Sequence, residues 1–216
     1  MLNQTCSYDG VCHQIQPGDV IAFSGLDISS ETVKLATGST VSHVGIILDL
    51  TMQGDRLQPL VMESSPIEGF NGVGIQPLAT RVSGYAGPIW WLPLKPAVRR
   101  QLKLSKFQQF LKQQDKKPYD PIQAINSGLK LFRKIPLLGR ATANQENFDQ
   151  LFCSELAAAG LKNAGVLPSV NPSEMTPHDL CQLAIYQPSY YLLNEPEITD
   201  PKRLQINGFN SIDMSD

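Results

Sequence analysis

A cysteine, a histidine and a carboxylate occur in this chain in settings that suit acyl-bond chemistry. Cys153 lies in Phe152-Cys153-Ser154-Glu155-Leu156, ahead of small residues that read as a helix over 156–164, with Gly165 as its stop. The start of a helix gathers unpaired N–H groups and the positive end of the dipole, which favour a thiolate. A cysteine there is placed to be a nucleophile. Free cysteine also packs as a small buried hydrophobe, so the local sequence leaves both roles open. His43, in Ser42-His43-Val44-Gly45-Ile46, falls inside the strongest strand signal of the chain, where a polar ring is out of character. Glu63, in Val61-Met62-Glu63-Ser64, ends the next strand. A thiol needs a base to take its proton, and the base needs an orienting group to fix its tautomer. These three residues supply the three roles; the plainer alternatives are a solvent-facing strand histidine and a strand-end carboxylate. No phosphate-binding glycine loop or nucleophile-elbow serine competes with them.

The elements that must position them follow from periodicity and turn residues. Gln16-Pro17-Gly18-Asp19 is a turn before a strand over 20–23, and a short helix over 31–37 stops at Gly38. A strand over 41–50, a turn at Gln53-Gly54-Asp55 and a strand over 57–63 predict an antiparallel hairpin that sets position 43 opposite roughly position 63. A strand over 73–77, a helical turn over 78–83 and a strand over 88–94 come next. Pro96 then starts a long helix to about Gln114. Lys117-Pro118-Tyr119-Asp120-Pro121 breaks it, before a helix over 122–132 and a polar connection over 134–150. A short helix over 173–183, capped by Thr176-Pro177, and a strand over 190–193 follow. The tail over 196–216, with Pro196, Pro201 and Gly208, is expected to lie at the periphery of a single domain spanning 1–216. Strands first and helices late make this an α+β chain.

Composition excludes several classes. The balance of 18 Lys and Arg against 20 Asp and Glu gives a net charge of −2, with no basic excess for nucleic acid. The first residues show no basic stretch followed by an apolar run, and no segment approaches the ~20 apolar residues of a membrane span. The expected compartment is the cytoplasm, and the four cysteines are expected to be free. Cys6, Cys12 and His13 lie close in sequence but match no standard zinc spacing, so no metal or other cofactor is expected.

Taken in order, the motifs resemble those of the permuted papain-like amidases, relatives of the NlpC-type cell-wall peptidases and of lecithin:retinol acyltransferase. Pro17-Gly18-Asp19-Val20-Ile21-Ala22-Phe23 is similar to the family's opening turn and strand, and Ser42-His43-Val44-Gly45-Ile46 to its histidine motif. Val61-Met62-Glu63-Ser64 matches its acidic strand, and Pro118-Tyr119-Asp120 resembles a segment upstream of its cysteine. Phe152-Cys153-Ser154-Glu155-Leu156 matches the nucleophile motif, and Thr176-Pro177-His178-Asp179-Leu180 resembles a later element. The resemblance covers about residues 16–195. The histidine precedes the cysteine, which is the permuted order.

The resemblance implies a circularly permuted papain-like (NlpC-type) fold, an antiparallel sheet packed against the helix bearing the cysteine. It implies Cys153 as nucleophile, His43 as base and Glu63 as orienting group, with Tyr119 as a hydroxyl donor near the site. The expected activity is cleavage of a peptide or acyl-amide bond through a thioacyl intermediate, with the oxyanion held by the Cys153 N–H and a second donor. Rivals stand beside it: acyl transfer on a lipid substrate or a thiol esterase of the same fold, and a binding module without catalysis. The lipid rival would use the mixed basic and apolar stretch from Leu129 to Arg140 on a membrane surface, although an ordinary packed helix is the favoured reading of that stretch.

Overall fold

The computed structural model of the chain describes residues 3–67, 70–117, 145–167 and 169–213. Tyr119, the helix expected over 122–132 and the stretch from Leu129 to Arg140 lie outside them. The elements run β1 (Asn3–Thr5), α1 (Tyr8–Val11), β2 (Val20–Phe23), α2 (Ile28–Thr37), β3 (His43–Gln53), β4 (Arg56–Ile67) and β5 (Phe70–Pro77). They continue as α3 (Leu78–Ser83), β6 (Ile89–Leu92), α4 (Pro96–Gln101), α5 (Leu104–Lys112), α6 (Gln145–Asn163), α7 (Pro177–Gln182) and β7 (Tyr190–Leu192).

The strands form one seven-stranded sheet in the order β1-β7-β6-β2-β3-β4-β5. Neighbours are antiparallel except β1, which pairs parallel with β7, so the sheet is mixed rather than purely antiparallel. All four residues of β2 are buried, as suits a central strand covered on both faces. One face carries Val20, Ala22, Val44, Ile46, Met62 and Leu92, and packs on Cys153, Ala157, Ala158 and Leu161 of α6. The alanines let α6 lie close on the sheet. The other face joins Ile21, Phe23, Ile47, Val61, Ile89 and Trp91 to Val11, Ile15 and Leu78.

The β3–β4 hairpin exists, with a register that differs from expectation. Ile46 faces Met62, and the register shifts between Ile47 and Asp49 before the turn. The turn pairs Gln53 with Arg56, three places beyond the expected register, and the β-bulge takes one place back, so Gly45, not His43, comes opposite Glu63. The slip is two residues, so His43 and Glu63 keep one face and meet on the diagonal. Gly45 makes that possible: a Cβ there would lie 2.6 Å from Val61 Cγ2 and 3.5 Å from Glu63 Cβ. Gly45→Ala is therefore expected to cost about 1–3 kcal/mol by overpacking, and to part His43 from Glu63. Urea denaturation checks this, and an unchanged midpoint would contradict it.

Three other expectations are corrected. The helix from Pro96 to Gln114 is two helices, because Leu102 and Lys103 leave the helical region (ψ 109° and 82°). The break turns the Lys103 N–H onto the Ala164 carbonyl (3.0 Å), just past the end of α6, a tertiary bond an unbroken helix could not make. The cysteine helix begins at Gln145, not at the cysteine, so the last part of the expected connection is helical. The tail is not peripheral: Ile206 and Phe209 are buried, and Phe209 packs on the Tyr186 and Tyr190 rings. Asn207 accepts from Thr40 N–H (2.9 Å) and donates to the Gly38 carbonyl (2.8 Å), which braces the loop leading into His43. Among the described residues, no helix is long and apolar enough to cross a membrane.

Candidate active site

His43 opens β3 at a point where the sheet is paired on one side. Phe23 of β2 is its partner, whereas the β3–β4 ladder begins at Ile46. Ser42 fixes the chain just ahead of it: its N–H donates to the Phe23 carbonyl (2.9 Å), and its Oγ accepts from Gly25 N–H (2.9 Å). The imidazole lies against the Phe23 ring, with centroids 5.3 Å apart. Its Nε2 is 2.7 Å from Glu63 Oε2. Cys153 reaches the same notch from α6, where its Sγ accepts the Val44 N–H at 3.3 Å. The cysteine side chain is also hydrogen-bonded to the His43 ring. With Nε2 committed to Glu63, Nδ1 is the ring atom left for the sulfur. The structure thus gathers the three residues singled out in the sequence, from two strands and a helix.

All three are buried: Glu63 is 0 % exposed, Cys153 1 % and His43 5 %. Charges there interact with little screening by water. Burial alone would lower the His43 pKa, but the Cys153 charge and hydrogen bond, followed by those of Glu63, outweigh it and lift it to about 9. Burial likewise opposes the Glu63 carboxylate, yet the hydrogen bond and charge of His43, with Arg81 behind them, hold its pKa below the usual value. The site therefore favours an imidazolium held against the Glu63 carboxylate.

Arg81 and Gln76 complete the surroundings of Glu63, and neither was found from the sequence. Arg81 Nε donates to Glu63 Oε1 at 2.8 Å and Nη2 to Oε2 at 3.2 Å, a two-bond fork. Gln76 Nε2 donates to Oε1 at 2.9 Å. Arg81 packs against both the Phe23 and Tyr85 rings, 4.9 and 5.0 Å from their centroids. No local motif marks these residues. They reach Glu63 because β5 pairs with β4 in a register that sets Gln76 opposite Val61, and α3 follows at once.

The position of Cys153 corrects one part of the expected chemistry. It lies well inside α6, which starts at Gln145, rather than at a helix start. The N–H of an interior helical residue points at the carbonyl four residues back, so it is not free for an oxyanion. The dipole of the first turn is likewise too far away to act on the sulfur. The partners of the sulfur are instead the Val44 N–H and the His43 ring. Ser154, next in the helix, donates from Oγ to the Met175 carbonyl at 2.7 Å, which ties α6 to the segment before α7. Tyr119, expected as a hydroxyl donor, lies outside the described residues. Cys6 and Cys12 each point at a backbone carbonyl, of Leu192 and Asp9 respectively. Among the described residues no group of three or more His, Cys, Asp or Glu is gathered as for a metal ion.

No protein-family model matches the chain, and no curated protein matches it. A solved structure described as the metalloprotein yiiX from Escherichia coli O157:H7, DUF1105, is similar to it with a TM-score of 0.44. That likeness covers 70% of this chain and 67% of the other, at 23% identity.

Proposed function

We propose that the protein is a cysteine hydrolase that cleaves a peptide or acyl-amide bond through a thioacyl intermediate on Cys153, on a circularly permuted papain-like fold. The observation that carries this reading is the buried chain Cys153–His43–Glu63, with the imidazole bonded on one side to the thiol and on the other to a carboxylate at 2.7 Å. A thiol so placed is activated as a nucleophile, and the carboxylate fixes the ring that serves it.

The Cys153 thiolate attacks the substrate carbonyl carbon. A C–S bond forms and the carbonyl π electrons move onto oxygen. As that oxyanion collapses, the C–N bond breaks and the His43 imidazolium gives its Nδ1 proton to the leaving amine. Water then adds to the thioester while neutral His43 takes its proton. The C–S bond breaks, the acid leaves, and thiolate and imidazolium are restored. Glu63 keeps Nε2–H engaged throughout, so the same ring nitrogen serves both half-reactions.

Acyl-enzyme trapping tests the reading. The protein is mixed with activated acyl esters and a panel of acyl-amides and peptides, then quenched in acid and weighed intact. One acyl group on the peptide containing Cys153, removed by hydroxylamine and absent from Cys153→Ala, is the expected result. Neither adduct nor turnover across the panel, with a folded wild-type protein, would overturn it.

A further inference from the structure

We propose that Arg81 is a positioning residue of this site, whose charge balances Glu63 and so lets Cys153 rest as a thiolate beside the His43 imidazolium. The inference rests on the cysteine-hydrolase reading and adds a fourth member to its machinery.

In the resting state proposed, the charges alternate along the chain of contacts: thiolate at Cys153, imidazolium at His43, carboxylate at Glu63, guanidinium at Arg81. The four sum to zero. Without Arg81 the remaining three carry a net negative charge where the Glu63 and Cys153 side chains meet almost no water. A buried site sheds such an excess by taking up a proton. The carboxylate is held by His43 and Gln76, so the sulfur is the cheapest place for it. The result would be a neutral thiol facing an imidazolium, which is a poor nucleophile.

Arg81 is built into the site rather than resting on the surface. Its fork takes both Glu63 oxygens, and its planar group packs against both the Phe23 and Tyr85 rings, which themselves meet edge-on. Phe23 is shared, since the His43 ring lies against it too. The other ionisable groups nearby do not supply the missing charge. Tyr85 is hydrogen-bonded to Ser42 and held neutral by burial, and Asp27 beyond it is an anion tied to Ser29 and Ser30. Cys181, on the α7 side of Cys153, is kept a neutral thiol by burial. Lys34 is a cation, but its ammonium is taken by Glu31, Ser24 and the Gly25 carbonyl.

The test is the rate of Cys153 alkylation by iodoacetamide against pH, read by peptide mass spectrometry on the full chain, for wild type, Arg81→Gln and Arg81→Lys. Thermal unfolding is recorded for each. In Arg81→Gln the acid limb moves up, so the rate at pH 6 falls about tenfold, the effect of one pKa unit. Arg81→Lys keeps the charge and loses the fork, so its profile stays with wild type even where its melting temperature drops. A folded Arg81→Gln with an unmoved profile overturns the proposal, and so does a folded Arg81→Lys whose acid limb moves up. If Arg81→Gln does not fold, Arg81→Lys alone decides. A wild-type Cys153 that reacts no faster than Cys6 removes the cysteine-hydrolase reading itself, a different failure from an unmoved Arg81 profile.

Discussion

Glu63→Ala loses about 3–5 kcal/mol of stability at neutral pH, the cost of stripping one partner from a buried ion pair. Glu63 accepts from His43, Gln76 and Arg81, and no part of its side chain reaches solvent. Alanine leaves those donors facing a void that cannot answer them. Glu63→Gln keeps the volume and one acceptor, so it falls between wild type and alanine. The pH dependence carries a second signature. His43 has a raised folded-state pKa, so its contribution is complete below the ordinary 6.5 and is lost as pH climbs through about 9. Glu63 has a lowered one, so its contribution is complete above the ordinary 4.5 and is lost as pH falls through the lower value. Wild-type stability therefore has a shoulder between about pH 4.5 and 6.5 from this pair, and Glu63→Ala flattens it. Urea unfolding at several pH values measures both effects; a variant as stable as wild type with the same pH profile contradicts the account of Glu63.

His43→Ala is expected to act on turnover far more than on folding. Glu63 keeps Arg81 and Gln76 when the ring is gone, so its charge stays compensated. The thiol loses its proton acceptor and the leaving amine its donor, and removing such a group costs about 10²–10⁴-fold in rate. The substrate that labels Cys153 in the trapping experiment is the one to use, with kcat and KM measured separately. A fall confined to kcat fits a lost proton carrier. Turnover within threefold of wild type excludes His43 from the chemistry.

How far these features could be read from the chain depends on their range. The strand over 20–23 and the helical turn over 78–83 were legible to the residue, because turn residues and apolar runs are local signals. His43 and Glu63 were legible as a pair because a hairpin ties them together. The β-bulge between Ile47 and Asp49 was not, since one inserted residue leaves the apolar pattern almost unchanged. It did no harm, because it takes back one of the three places by which the Gln53–Arg56 turn departs from the expected register, and the even net slip keeps the face. The start of α6 is hard to read because, of its first six residues from Gln145, only Phe148 is apolar, so the stretch looks like a loop. The division between α4 and α5 depends on a carbonyl of a helix far away in sequence. Arg81 was invisible for a similar reason: its partner is chosen by the β4–β5 register and by two aromatic rings from separate segments. Phe209 sits among Asn207, Gly208, Asn210 and Ser211, a turn-like setting, and only its packing on Tyr186 and Tyr190 makes it core.

The central claim is that Cys153 and His43 form a charged pair, and its most direct measurement is the alkylation of the four cysteines by iodoacetamide near pH 6. On wild type, Cys153 is expected to react well ahead of Cys6, Cys12 and Cys181, with His43→Ala abolishing the lead. Equal rates for Cys153 and the half-buried Cys6 and Cys12, or a lead that survives His43→Ala, would contradict it.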